Sequence, residues 1–300
     1  MTSAAPATFL DPALLARISD LPLLARTVVE GFMNGMHRSP RKGFSIDFSQ
    51  HRQYQPGDDL RRIDWKAFAR TDRFYIKEYE ADTNAAVTFA LDASGSMDFG
   101  SGAVTKFDYG RFLIASLAWL SQKQGDRVGL ITFTDGLADI IPPSTRHLQL
   151  ILHTLGHTKA SGVGQLKTSL ERIAHISTRA GIIALVTDCY ERPDVIGRAV
   201  DVLRARRHDV ILFHLIDPAE RDLPGAAVAT FEDLESGVRI PLRPNEMRAK
   251  YRQLVEDHRK AVADRMTGAG ADYVPVDVDK PLDATLYAYL DARLARSRVR

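Results

Sequence analysis

Apolar positions follow two different rhythms along the chain. Between Asp11 and Met36, Leu14, Leu15, Ile18, Leu21, Leu24, Val28, Val29 and Phe32 recur close to helical spacing. Asp11-Pro12 opens this stretch as a capping aspartate followed by a first-turn proline. Pro22 is expected to divide it into two short helices, because proline removes a donor and clashes with the preceding turn. After Gly43 the rhythm changes. Ile46 and Phe48 alternate with polar neighbours and Phe74-Tyr75-Ile76 is rich in strand formers, which predicts short strands. Between them, Tyr54-Gln55-Pro56-Gly57-Asp58-Asp59 reads as a turn, since proline fixes one dihedral and glycine permits the next.

From Ala85 onward, apolar runs of strand length alternate with amphipathic stretches of helix length. The pattern predicts strands at 86–91, 127–133, 138–141, 182–187, 210–216 and 273–278. It predicts helices at 106–124, 146–155, 166–178, 193–206, 246–266 and 282–296. Several strands are almost wholly apolar, as when helices cover both faces of a sheet. The alternation therefore predicts an α/β fold with a doubly wound, mostly parallel sheet. That domain is placed at residues 83–300, after an extension of helices and short strands at 1–82. A hairpin at 226–231 and 238–241 is expected to turn near Ser236-Gly237.

Bulk composition narrows the function classes. The chain has 300 residues, 45% hydrophobic and 26% charged, enough for a sizeable core. A formal net charge of +2 gives no strong overall pull toward nucleic acid or anionic membrane. The one cysteine, Cys189, allows neither an internal disulfide nor a thiolate zinc cage. No apolar run reaches the roughly 18 residues that span a bilayer. The first ten residues lack the basic-then-apolar layout of a signal peptide. A cytoplasmic location is the expectation.

One run stands out chemically. Asp92 falls at the end of a predicted buried strand, with Ser94 and Ser96 at alternate positions after it and Gly95 between them. In an open parallel sheet, ligands sit beyond the carboxyl ends of the strands. A bent loop there can aim the three side chains at one point, and their oxygens suit a hard cation such as magnesium. The same residue types also cap helices and satisfy loop amides, so a purely local role is the competing account. Asp92-x-Ser94-x-Ser96 resembles the start of the metal-ion-dependent adhesion site of von Willebrand factor A domains. The resemblance implies a further aspartate after a later apolar strand. Ile183-Ala184-Leu185-Val186-Thr187-Asp188 matches, making Asp188 a ligand candidate through water. It also implies a threonine ligand, but the expected position falls at Gly164 or Gln165, with Thr168 about a turn later.

Upstream, the stretch from Arg52 to Lys66 reads Arg-Gln-Tyr-Gln-Pro-Gly-Asp-Asp-Leu-Arg-Arg-Ile-Asp-Trp-Lys. With Ala69-Arg70 and Tyr75-Ile76-Lys77-Glu78 it resembles the signature of the bacterial domain-of-unknown-function 58 family, in which it precedes an A-type domain. Arg52, Asp58, Asp59, Arg61, Arg62 and Asp64 are candidates for a polar partner-binding surface. The alternative is an internal ion-pair network fastening this segment to the sheet, with Trp65 in the core. Acids interleave the bases throughout, which argues against nucleic acid. The resemblance implies a non-enzymatic interaction module that binds Mg2+ or Mn2+ and works as adaptor or assembly factor with a MoxR-type AAA+ ATPase.

Other chemistry is poorly supported. Ser94 or Ser96 as a hydrolase nucleophile would need a histidine base, and neither serine has glycines two places either side. His153 and His157 are four apart, but Gly156 is expected to end that helix, leaving surface histidines rather than a zinc pair. Cys189 reads as a small packed residue. No phosphate-loop motif is present.

Overall fold

Strand β3 (Ala86–Asp92) sets the architecture. It is buried from its second residue onward, and its alternate side chains enter two different apolar clusters. Phe89 and Leu91 point to one face and Ala90 to the other, as period-two geometry requires. The computed structural model describes residues 11–38, 50–53, 74–78, 85–225 and 228–297.

After β3 the chain runs through a short 3-10 turn (Gly95–Asp98), α3 (Lys106–Lys123), β4 (Arg127–Phe133) and β5 (Leu137–Ser144). Then come α4 (Leu148–His157), α5 (Leu166–Ile176), β6 (Ile182–Thr187), α6 (Pro193–Ala205) and β7 (Asp209–Ile216). The last part holds α7 (Pro218–Asp222), β8 (Ala229–Glu232), β9 (Arg239–Leu242), α8 (Pro244–Gly268), β10 (Asp272–Asp277) and α9 (Leu282–Ser297). Before β3 lie α1 (Pro12–Leu15), α2 (Leu21–Arg38), β1 (Gln50–Gln53) and β2 (Tyr75–Glu78).

Six strands form one sheet in the spatial order β10-β7-β6-β3-β4-β5. Every neighbouring pair is parallel except β4 with β5. The chain winds outward from β3 through β4 to β5, then returns to place β6 on the other side of β3. The winding direction thus reverses between β3 and β6, which opens a crevice at their carboxyl ends. The edge strands carry prolines: Pro142 and Pro143 in β5, Pro275 in β10. The expected doubly wound, mostly parallel α/β sheet is the observed one.

Helices cover both faces. On one side Leu24 and Val28 of α2, Leu113 of α3, Ile151 of α4 and Leu286 of α9 share a cluster with Phe89, Val128 and Phe213. On the other, Leu170 of α5, Val200 of α6 and Val262 of α8 pack with Ala90, Ile131, Leu185 and Leu212. Helix α2, in the predicted extension, is therefore part of the same core as the sheet. The antiparallel hairpin β8–β9 stands apart from the main sheet and turns through Gly237 at φ +69°, close to the expected turn.

Two local expectations need correction, and one strand lies where none was expected. The first helical stretch breaks at residues 16–20, not at Pro22. Asp20 Oδ1 accepts the Leu23 N–H at 2.9 Å, so Pro22 falls in the first turn of α2, where no intrahelical donor is lost. Helix α4 runs through Gly156 to His157. The polar strand β1 was not foreseen, and it pairs antiparallel with β2, Arg52 opposite Ile76. The readings at Ile46, Phe48, 54–59 and Trp65 lie outside the described residues.

Candidate metal centre

The crevice between β3 and β6 is where the chemistry gathers. Asp92 is the last residue of β3, and Asp188 directly follows β6, the adjacent parallel strand. Ser94 and Ser96 follow Asp92 in a loop that tightens into the 3-10 turn. All four side chains are buried, with 1–8% exposure. The Ser94 and Ser96 hydroxyls are 3.1 Å apart. Asp92 Oδ1 accepts the Ser94 N–H at 3.0 Å, and Asp92 Oδ2 accepts the Thr187 hydroxyl at 2.7 Å.

A second loop braces the first. The Gly95 N–H donates to the Gly162 carbonyl and the Ser161 N–H to the Ala93 carbonyl, both at 2.8 Å. This places Gly164 against Ser94: a Cβ on Gly164 would lie 3.1 Å from the Ser94 Cβ. Position 164 thus faces the Asp92–Ser96 loop with no side chain to offer. Thr168 is exposed, and its hydroxyl bonds Gln165 at 3.4 Å.

Charge in the crevice is unevenly balanced. Lys106, the fully buried first residue of α3, donates to Asp188 Oδ2 at 2.8 Å and to Glu220 Oε1 at 2.5 Å. Burial works against the Lys106 ammonium, but Asp188 and Glu220 outweigh it, and the net shift of its pKa is upward. Its Nζ also lies 4.4 Å from the Tyr190 ring centroid, and the Tyr190 hydroxyl donates to Glu220. Asp92 has hydrogen bonds but, among the described residues, no such cation. Burial first, then the charge of Asp188, push its carboxyl up to about 7.

Sequence reasoning missed Lys106, Thr187, Glu220 and Tyr190. The available signal was a lysine in the first turn of a helix, where the dipole disfavours a cation unless carboxylates meet it.

Asp92, Ser94, Ser96 and Asp188 offer only oxygen, as carboxylate or hydroxyl, which suits Mg2+ or Mn2+. Among the described residues no three His, Cys, Asp or Glu side chains converge as a metal-binding group, so such a site depends on the serines. The desolvated Asp92 carboxylate, raised by a second carboxylate, fits a place for added positive charge. The nearby histidines carry hydrogen bonds of their own, and His214 also meets the Asp188 backbone. His214 Nδ1 bonds the Tyr273 hydroxyl at 2.9 Å, and His258 Nε2 bonds the Cys189 carbonyl at 2.8 Å. Cys189 itself is buried at φ +57°, its thiol pushed well upward by burial. His157 Nδ1 bonds the His153 carbonyl within α4.

Of the proposed partner surface, Arg52 sits on β1, while Asp58, Asp59, Arg61, Arg62 and Asp64 lie outside the described residues. No described helix is long and apolar enough to cross a membrane.

Uncharacterized protein Rv1480 of Mycobacterium tuberculosis is 27% identical over 290 residues, covering 94% of this chain and 90% of the relative. Uncharacterized protein Mb1516 of Mycobacterium bovis matches to the same extent. Among solved structures, an aerotolerance-related membrane protein from Bacteroides fragilis aligns with TM-score 0.48 at 17% identity, over 69% of this chain and 98% of that one. The conserved hypothetical protein BatB from Bacteroides thetaiotaomicron gives TM-score 0.47 at 18% identity, over 70% and 98%. The profile of the family described as "Protein of unknown function DUF58" matches residues 50–261, and the chain belongs to that family.

Proposed function

We propose that this protein is a non-enzymatic interaction module whose contact face is organised around one divalent cation. Asp92, Ser94 and Ser96 would hold Mg2+ or Mn2+, with Asp188 behind through water. The cation would offer a partner's acidic side chain both attraction and direction. The observation that carries this reading is the convergence, at the reversal point of the sheet, of a buried oxygen-only set around a carboxylate with no counter-ion among the described residues. Ser94 and Ser96 engage each other rather than a base, which suits ligation better than nucleophilic attack. The resemblance to the domain-of-unknown-function 58 family suggests the partner, a MoxR-type AAA+ ATPase, with this chain as adaptor or assembly factor.

Calorimetric titration of MgCl2 and MnCl2 into wild type and Asp92→Ala tests the cation. Binding heat from the wild type alone is expected, and equal heats from the two proteins would sink the site. A pull-down with a MoxR-type ATPase encoded beside the gene tests the partner. Retention that ignores both chelator and Asp92→Ala would remove the metal from the contact.

A metal-free module is the second reading. Lys106 supports it, because its buried ammonium already gives Asp188 a positive partner. Absence of binding heat from wild type would favour that reading.

A further inference from the structure

The hairpin β8–β9 is seated on the cation loop. The Leu234 carbonyl oxygen lies 2.9 Å from where a Cβ on Gly95 would stand, so the hairpin approaches a backbone that carries no side chain. The next residue, Glu235, turns its side chain inward. Its Oε2 accepts the Gly164 N–H at 3.3 Å. Its Oε1 lies 3.4 Å from the point a Cβ on Gly164 would occupy, and the Ser94 Oγ lies 3.4 Å from that same point. Glycine at 164 therefore leaves open a space that the Glu235 carboxylate and the Ser94 hydroxyl both border.

The hairpin holds Glu235 in this attitude. Asp233 Oδ1 accepts the Glu235 N–H at 3.0 Å, and the turn closes through the Asp233 N–H to the Val238 carbonyl at 2.9 Å. Glu232 of the same hairpin points outward and pairs with Arg239. Glu235 has no salt-bridge partner among the described residues. The Glu235 carboxylate thus borders the loop that carries Ser94, on the side that position 164 leaves open.

We propose that Glu235 is a ligand-bearing residue of the cation site, supplying the oxygen that glycine at position 164 does not. This rests on the cation-binding reading above and deepens it. A rotation about the Glu235 side-chain bonds carries Oε1 toward Ser94, while the hairpin backbone stays docked on Gly95. Glutamate adds a negative charge that a hydroxyl ligand lacks, and ligand charge tunes the affinity of hard cations. A partner's acidic side chain would then share the cation with an acid already present, or displace it.

The test is calorimetric titration of MnCl2 into the full chain as wild type, Glu235→Gln, Glu232→Gln and Asp92→Ala. Glutamine keeps an acceptor for the Gly164 N–H, so Glu235→Gln leaves the hairpin docked and removes only the charge. The expected result is Mn2+ binding weakened about tenfold or more by Glu235→Gln and changed by less than about twofold by Glu232→Gln. Wild-type affinity in Glu235→Gln, with heat lost in Asp92→Ala, would overturn the role of Glu235 and leave the cation site standing. Equal weakening in Glu232→Gln would also overturn it, by tracing the effect to general surface charge. No heat from the wild type would remove the cation reading and this proposal together.

Discussion

Lys106 Nζ donates to Asp188 Oδ2 across 2.8 Å, joining the first turn of α3 to the end of β6. The bond holds the two sides of the crevice in register, and the ammonium also satisfies Glu220. Removing it strands two carboxylates with little solvent to compensate. Lys106→Met should therefore destabilise the chain by about 3–5 kcal/mol, read from urea denaturation at pH 7.5. Added Mg2+ should recover more stability in this variant than in wild type, because the crevice has lost its built-in cation. An unchanged denaturation midpoint would show that Asp188 does not depend on Lys106.

Asp92 makes the opposite contribution. Burial and Asp188 raise its folded-state pKa to about 7, well above the value of about 4 expected for the unfolded chain. The folded chain therefore keeps a proton that the unfolded chain releases between about pH 4 and 7, and this group's contribution to stability falls as pH rises through that window. Asp92→Asn removes the titration. Without divalent metal, this variant should melt higher than wild type at pH 8 and show little advantage at pH 4.5. Mg2+ at pH 8 should raise the melting temperature of wild type and leave the variant where it was. A wild type whose stability difference from Asp92→Asn does not vary with pH would contradict this account.

Helix α2 lies far ahead of the sheet in sequence, yet Leu24 is fully buried in the cluster that contains Phe89 and Leu113. Leu24→Ala should cost about 2–5 kcal/mol of global stability. The loss should appear in a single unfolding transition followed by both near- and far-ultraviolet circular dichroism. A separate early transition, with the main one unmoved, would mean that the helix is dispensable to the core.

The central strands were readable because β3, β6 and β7 are nearly continuous apolar runs, which a helix-covered parallel strand demands. Asp92 and Asp188 were readable for a related reason: each ends such a run, and adjacent strand ends in a reversing sheet converge. Lys106 was not readable, since its value depends on carboxylates 82 and 114 residues away. Glu235 was hidden in the same way, because the approach of the hairpin to Gly95 and Gly164 is a tertiary event that no periodicity encodes. Pro22 misled because proline breaks a helix only past its first turn, and Asp20 had set that turn two residues earlier.

The prolines at the sheet margins have a consequence for assembly. A bare edge invites another chain to add its own strand, and such lateral growth leads to aggregation or to partners recruited through backbone bonding. Pro142 and Pro143 on one margin and Pro275 on the other remove amide donors where an incoming strand would need them. Recruitment by sheet extension is thereby disfavoured at both margins. Under the proposed function, recognition falls to the rim that carries the Asp92–Ser96 loop, where substitutions would change partner choice without disturbing the pairing of the strands beneath.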